Sequence, residues 1–112
     1  MSLPRLNRRL TLESPGRVSD GAGGFEETWT PLGVIWAEVR ARAGRQAQSA
    51  GVAVSRVPYT VTVRAAPVGH PERPMPEQRF RDGARLFHIA SVAERDPEGR
   101  YLLCVAEEEV VV

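Results

Sequence analysis

The sequence predicts an all-β fold, a small barrel or sandwich of about six mainly antiparallel strands. Apolar and polar residues alternate along most of the chain, as they do in half-buried strands, and glycine or proline separates the alternating runs. A length of 112 residues suits one domain over residues 1–112 with its own hydrophobic core.

The first two predicted strands lie on either side of a glycine-rich reversal. Alternation over residues 6–13 indicates a first strand, which Ser14-Pro15-Gly16 is expected to end. The glycines at 21, 23 and 24 adopt positive φ at little cost, so the chain is expected to reverse there before a short strand at 25–29.

A third strand and a contrasting segment follow. Pro31 and Gly33 are expected to separate the short strand from a strand over 34–42, which is rich in aromatic and β-branched residues. Residues 43–56 are mostly small or polar, and they predict one long loop or short helix between the third and fourth strands. Because long irregular segments in compact domains often carry function, this segment is the first candidate for an activity.

The second half of the chain carries the clearest strand patterns. Alternation is strongest over 57–65, and Pro58 belongs at the start or the edge of that strand because it has no N–H to donate. Residues 67–76 contain four prolines and predict an irregular connecting loop. Asp82-Gly83 predicts a type I′ hairpin turn, and residues 96–99 predict a second turn before the final strand.

Charge and hydropathy argue against two classes of protein. The formal net charge of +1 does not fit a strongly basic nucleic-acid binder. The longest uncharged apolar run is too short to cross a bilayer, and the opening residues do not follow the pattern of a secretory signal. Synthesis in the cytoplasm and no membrane partner are therefore expected.

Motifs for catalysis or metal binding are missing from the sequence. It lacks a phosphate-binding loop with its lysine and a serine nucleophile elbow. Cys104 lies in an apolar run, which favours a core position over a catalytic pair with His88. His70 and His88 have no closely spaced partners for zinc, and the acidic run 107–109 favours a solvated strand end. We therefore expect no enzyme activity, no metal and no cofactor.

An alternative hypothesis is a small oligonucleotide-binding-type barrel for single-stranded nucleic acid. Such proteins stack bases on exposed aromatic rings while arginines follow the backbone. Aromatic residues make up 6% of this chain. Most of them, including Trp29, Trp36, Phe80 and Phe87, fall in strand runs that need core residues. Few are left for a stacking platform, so this hypothesis ranks second.

The order of motifs along nearly the whole chain resembles the phage head-tail joining family. The segment from Phe80 to Val92, with Asp82-Gly83 at its turn, matches the family's hairpin. The resemblance is to a head-closure or stopper-type connector, which is also found in phage-like gene transfer particles. Five segments carry it, in the family's order and spacing: 6–13, 20–29 with 34–39, 56–64, 80–92 and 102–108.

The resemblance implies a structural virion protein. It implies a ring of six or twelve copies around the DNA channel, joining the DNA-filled head to the tail and giving the tail a docking face. The implied partners are a portal or adaptor protein on the head side, a tail terminator or tail tube on the other, and channel DNA bound without sequence specificity. The protein would be made in the host bacterial cytoplasm and assembled into the virion or phage-like particle.

Two segments are the predicted contact sites. At the end of the chain, Val110, Val111 and Val112 are expected to add to a sheet, in the same subunit or in a neighbour. Contacts to the channel or the adjoining ring are expected from the 43–56 segment and its flank, through Arg42, Gly44, Arg45, Gln46, Gln48 and Arg56.

Overall fold

The computed structural model describes residues 2–42, 45–49 and 52–111, with the backbone alone for 45–49, 52–55 and 111. The described chain contains seven strands and no helix, which confirms the predicted all-β class. The strands are β1 (Arg8–Ser19), β2 (Phe25–Ala41), β3 (Arg45–Ser49), β4 (Val52–Arg64), β5 (Arg79–Asp82), β6 (Arg85–Glu94) and β7 (Tyr101–Val111). Within these residues, no helix is long and apolar enough to cross a membrane.

All strand pairs are antiparallel, and six strands close into a barrel. The strand order is β2-β1-β5-β6-β7-β4-β3, and an additional β2–β4 pairing joins the two sides of the sheet. β4 pairs with β2 through Tyr59–Val63 and with β3 through Val52–Arg56. β3 therefore continues along the same edge of β4 after β2 leaves it.

The inward faces of the closed strands form one hydrophobic core. Phe80 and Phe87 are its largest fully buried side chains, and each contributes about 1.5–3 kcal/mol by leaving water. Trp36, expected among the core residues, is 54% exposed instead. The remaining buried apolar residues are Leu10, Leu12, Ala37, Val61, Val63, Ile89, Leu102, Cys104 and Ala106.

β1 and β2 are longer than the sequence predicts. β1 runs through Ser14-Pro15-Gly16, and β2 runs through Pro31 and Gly33, so the expected strand breaks are wrong. Leu12 faces Gly33 while Glu13 faces Pro31, which leaves the intervening Leu32 as a β-bulge. Proline is tolerated at edges and bulges, and the described pairing of β1 with β5 ends at Glu13.

The described residues of the 43–56 segment form strands, and not the predicted loop or short helix. Residues 45–49 are β3, and 52–56 are the start of β4. Arg45 pairs with Arg56, and Ser49 pairs with Val52. A neighbouring strand thus outweighs the low strand propensity of the glutamines and alanines in this segment, because strand preference depends mainly on context.

Both predicted hairpin turns are present, the first with a different geometry. Asp82 pairs with Arg85, so Gly83 and Ala84 are the central residues. Positive φ occurs at Gly83 (60°) and not at Ala84, which is the sign pattern of a type II′ turn and not of the predicted type I′.

The second turn is held by the carboxylate of Asp96. It accepts hydrogen bonds from the backbone N–H groups of Arg100 and Tyr101 at 3.0 and 2.9 Å. Burial would raise the pKa of this carboxyl, but these hydrogen bonds outweigh it and lower the pKa. Gly99 closes the turn with φ of 66°.

Candidate assembly surfaces

Three strand segments extend beyond the closed barrel as one sheet, which we call the arm (residues 45–49, 52–57 and 109–111). The described pairing of β6 with β7 stops at Glu108. Beyond that point, β4 stays paired with β7 on one edge and with β3 on the other. The molecule measures 50 × 32 × 22 Å.

The structure places most of the predicted contact residues in or next to the arm. Arg42 is exposed at the end of β2, and its backbone N–H donates to the Pro58 carbonyl at 2.8 Å. Arg56 pairs with Arg45 on one side and with Glu109 on the other. The Arg56 guanidinium lies 3.7 Å from the Glu109 carboxylate. Gln46 and Gln48 lie in β3, and Gly44 is outside the described residues.

The C-terminal valines belong to the same sheet. Val110 lies opposite Ser55, and Val111 lies opposite Val54, both on β4 of the same chain. Val110 is 40% exposed, while Val112 falls outside the described residues. The topology thus brings together two segments that are more than 50 residues apart in the chain.

A charged and aromatic cluster fixes the root of the arm. The Arg85 guanidinium donates to both oxygens of Glu108, at 2.8 and 3.0 Å, and to the Tyr59 hydroxyl at 3.0 Å. The same guanidinium lies 4.9 Å from the ring centre of Phe87, which meets Tyr59 edge to face. Bidentate pairing of this kind restricts both partners, so it stiffens the joint between barrel and arm.

Glu108 differs in environment from its two acidic neighbours. Glu107 and Glu109 are exposed, while Glu108 is buried on the inward face of β7, so the predicted solvated strand end is wrong for this one residue. The hydrogen bond from Arg85 lowers the pKa of Glu108 and outweighs the opposing effect of burial. The Glu108 carboxylate in turn raises the pKa of Arg85.

β3 follows β2 along one edge of β4, and the arm lies at one end of the line that these two strands form. At the other end, the outer parts of β1 and β2 form a second projection, which we call the hairpin (residues 14–19 and 25–31). Trp29 sits at its base, where the Arg79 guanidinium lies 3.9 Å from the ring centre. His88 meets the same ring edge to face at 6.2 Å between centroids. An open groove of about 510 Å³ separates the hairpin from His88 and Glu77.

A buried carboxylate also holds the hairpin where it leaves the barrel, which we call the hairpin root. Glu13 accepts hydrogen bonds from Arg79 at 2.7 Å and from Arg81 at 2.8 Å. Burial would raise the pKa of Glu13, but the hydrogen bonds and charges of the two arginines outweigh it and lower the pKa. The arginines lie two apart on β5, so both point to the outer face and converge on one carboxylate.

The described residues do not assemble a catalytic pair or a metal centre. Cys104 is fully buried, as predicted, and burial raises the pKa of its thiol to about 12. His88 is exposed and alternates with buried Phe87 and Ile89, so it points away from the core that holds Cys104. Among residues 2–42, 45–49 and 52–111, no three His, Cys, Asp or Glu side chains group as metal ligands.

Comparisons with known proteins agree with this architecture. A family model described as phage head completion protein matches residues 1–109. A chain in the structure of the virion of a native gene transfer agent particle is 56% identical, with a TM-score of 0.88, and the alignment covers 98% of this chain and 100% of that one.

A second solved structure shares the fold alone. Protein SF1141 from Shigella flexneri 2a is 20% identical, with a TM-score of 0.65 and 96% of each chain covered. No curated protein matches the chain. The family match spans nearly all of the sequence, and so the chain belongs to the phage head completion protein family and is a structural component of a virion or phage-like particle.

Proposed function

We propose that the protein forms a ring that closes the DNA-filled head, surrounds the DNA channel and gives the tail a docking face. The observation that carries this proposal is the head completion family match over residues 1–109. The relative in the gene transfer agent virion supports it, since 56% identity over 98% of this chain and 100% of that one favours the same place in the particle. The same match favours this role over the oligonucleotide-binding alternative.

The shape of the molecule supports a place between two neighbours. A ring of identical copies uses heterologous interfaces, in which two different surfaces of one chain meet. The hairpin and the arm project from opposite ends of the line that β2 and β3 form, so they give the chain two different surfaces for two different neighbours. A buried carboxylate holds each projection in place where it leaves the barrel. Such fixed projections suit a protein that sits between a head-side portal or adaptor and a tail terminator or tail tube.

Within this proposal the arm faces the channel or the adjoining ring. Arg42 and Arg56 are exposed, and β3 carries Arg45, Gln46 and Gln48. Arginine binds phosphate without reading base sequence, as a channel that passes packaged DNA requires. The predicted contact residues also include residue 44. The ring would hold six or twelve copies.

Deleting residues 44–51 tests the arm. The closed barrel does not depend on β3, so the variant should stay folded, with the β1, β5, β6 and β7 pairings intact. We expect DNA-filled heads and free tails that are not joined, seen by electron microscopy of particles made with the variant in place of the wild type. Joined, DNA-delivering particles would contradict the assignment.

A pair of double variants separates charge from shape. Arg42→Ala with Arg45→Ala removes one arginine next to the arm and one within it. Arg5→Ala with Arg9→Ala removes two exposed arginines near the start of β1 as the matched control. The arm variant should reduce the yield of joined particles by at least about tenfold, about 1.4 kcal/mol of assembly free energy. Equal yields from the two variants would contradict a polar contact role for the arm.

A further inference from the structure

An apolar groove lies between the proline-rich loop and the outside of the barrel. It has a volume of about 510 Å³. Val68 and Met75 line the groove, with 86% and 57% of their surface exposed. Two exposed large apolar side chains at one groove are unusual in a monomer. The apolar residues that line the groove include Leu32, Val68, Pro71, Met75, Pro76 and Val92.

The groove is preformed by hydrogen bonds within the loop. The backbone N–H of His70 donates to the Pro67 carbonyl at 3.0 Å, and that of Arg73 donates to the His70 carbonyl at 3.0 Å. The Arg73 guanidinium donates to the Ala66 carbonyl at 2.8 Å. A partner would therefore bind without first having to order this loop, which reduces the entropic cost of association.

The tip of the hairpin presents a matching apolar anchor. Phe25 is 66% exposed and lies opposite Ser19, next to the reversal that joins β1 to β2. The reversal is ordered by Asp20, whose carboxylate accepts the backbone N–H groups of Ala22 and Gly24 at 2.8 and 3.1 Å. A large exposed aromatic ring on an ordered turn is typical of an anchor residue at a protein interface.

The charges around the tip and the groove are opposite in sign. Residues 20–27 at the tip carry three carboxylates and no basic residue. The residues that line the groove include Arg73 and His70 and no carboxylate. Complementary charge of this kind orients an interface and disfavours wrong partners.

The tip cannot fill the groove of its own chain. Phe25 and Leu32 lie on the same strand and are seven residues apart, which is about 23 Å of extended chain at about 3.3 Å per residue. The hairpin is held in its extended form by the pairing of β1 with β2 from Ser19 and Phe25 inward. The anchor must therefore come from another molecule.

We propose that the tip of one copy inserts Phe25 into the proline-loop groove of the next copy. The contact joins two different surfaces, so it repeats from copy to copy, as the subunit contacts of a ring do. This inference rests on the proposed ring-forming function and names the contact that holds neighbouring copies together.

Cysteine cross-linking in assembled particles tests the contact. A chain with Phe25→Cys and Met75→Cys, treated with a short bismaleimide, should give a ladder of covalent multimers on a denaturing gel. The control pair Phe25→Cys with Leu3→Cys uses another exposed apolar side chain and should give no ladder. Cys104 is fully buried and stays unreacted in both chains.

A second variant covers the case in which the cysteines disturb assembly. Phe25→Asp adds a charge to an exposed position, so the monomer should keep its Tm, while joined particles should fall at least tenfold. Val34→Asp is the control, an exposed apolar position of the same strand outside the hairpin tip.

The outcomes separate this inference from the proposed function. Joined particles that give no ladder, or that tolerate Phe25→Asp as well as Val34→Asp, would overturn the tip-in-groove contact and leave the head-tail role intact. If particles still join after deletion of 44–51, the assignment of the arm is wrong, while the cross-linking test of the tip-in-groove contact is unaffected.

Discussion

The hairpin and the arm lie beyond opposite ends of the same barrel, and each is rooted at a buried carboxylate that arginine holds. They differ in how the charge is balanced. At the hairpin root, Glu13 is shared by Arg79 and Arg81, so the cluster carries one excess positive charge. At the arm root, Glu108 meets Arg85 alone in a bidentate pair, and the cluster is neutral.

This difference makes one carboxylate harder to replace than the other. Arg79 is 15% exposed, and without Glu13 its charge would face Arg81 in a poorly solvated place. Arg85 is 43% exposed and can turn toward water if Glu108 is lost. The structure therefore predicts that the hairpin root is electrostatically the more fragile of the two.

The largest expected effect is that of Glu13→Gln. It leaves two guanidinium groups without their shared counter-charge, and we expect a loss of about 3 kcal/mol in the free energy of unfolding. Urea denaturation measures it, with the exposed Glu26→Gln as the matched control. A loss below about 1 kcal/mol would show that Arg79 and Arg81 do not depend on this carboxylate.

A smaller effect is expected from Glu108→Gln. The amide can still accept one hydrogen bond from Arg85, and the partly exposed guanidinium is rehydrated, so the loss should be about 1–2 kcal/mol. Exposed Glu107→Gln on the same strand is the control. If Glu108→Gln cost as much as Glu13→Gln, the charge-balance comparison would be wrong.

Acidification should weaken both roots through the same carboxylates. Their pKa values are lowered in the folded protein, so the unfolded chain binds more protons in the acid range. Their contribution to stability is then fully present above the ordinary pKa of 4.5 and is lost as pH falls through the folded values. The slope of unfolding free energy against pH should flatten in each Gln variant, and an unchanged slope in both would contradict the assignment.

The smallest expected effect is that of truncation after Glu109. It removes Val110 and Val111 from their pairing with β4, and we expect a loss of under about 1 kcal/mol together with fewer joined particles. The full-length chain is the control. If the shorter chain matched the control in both stability and assembly, the role predicted for the C-terminal valines would fail.

The sequence by itself determined the features that local chemistry controls. A period of two predicted an all-β domain, since alternate residues of a strand face opposite sides and only one side is buried. Gly83 and Gly99 supply the positive φ that two turns need, so both hairpins were predictable at their positions. Cys104 was predicted in the core from the apolar run around it and is fully buried.

Only the tertiary structure decided which residues continue a strand and which charges are buried. β3 forms because β4 presents an open edge where β2 ends, and no local preference of 45–49 reveals that edge. Glu13 meets Arg79 across 66 positions of sequence, and Glu108 meets Arg85 across 23. A carboxylate is buried only where such distant partners converge, because the cost of removing it from water depends on the groups the fold brings around it.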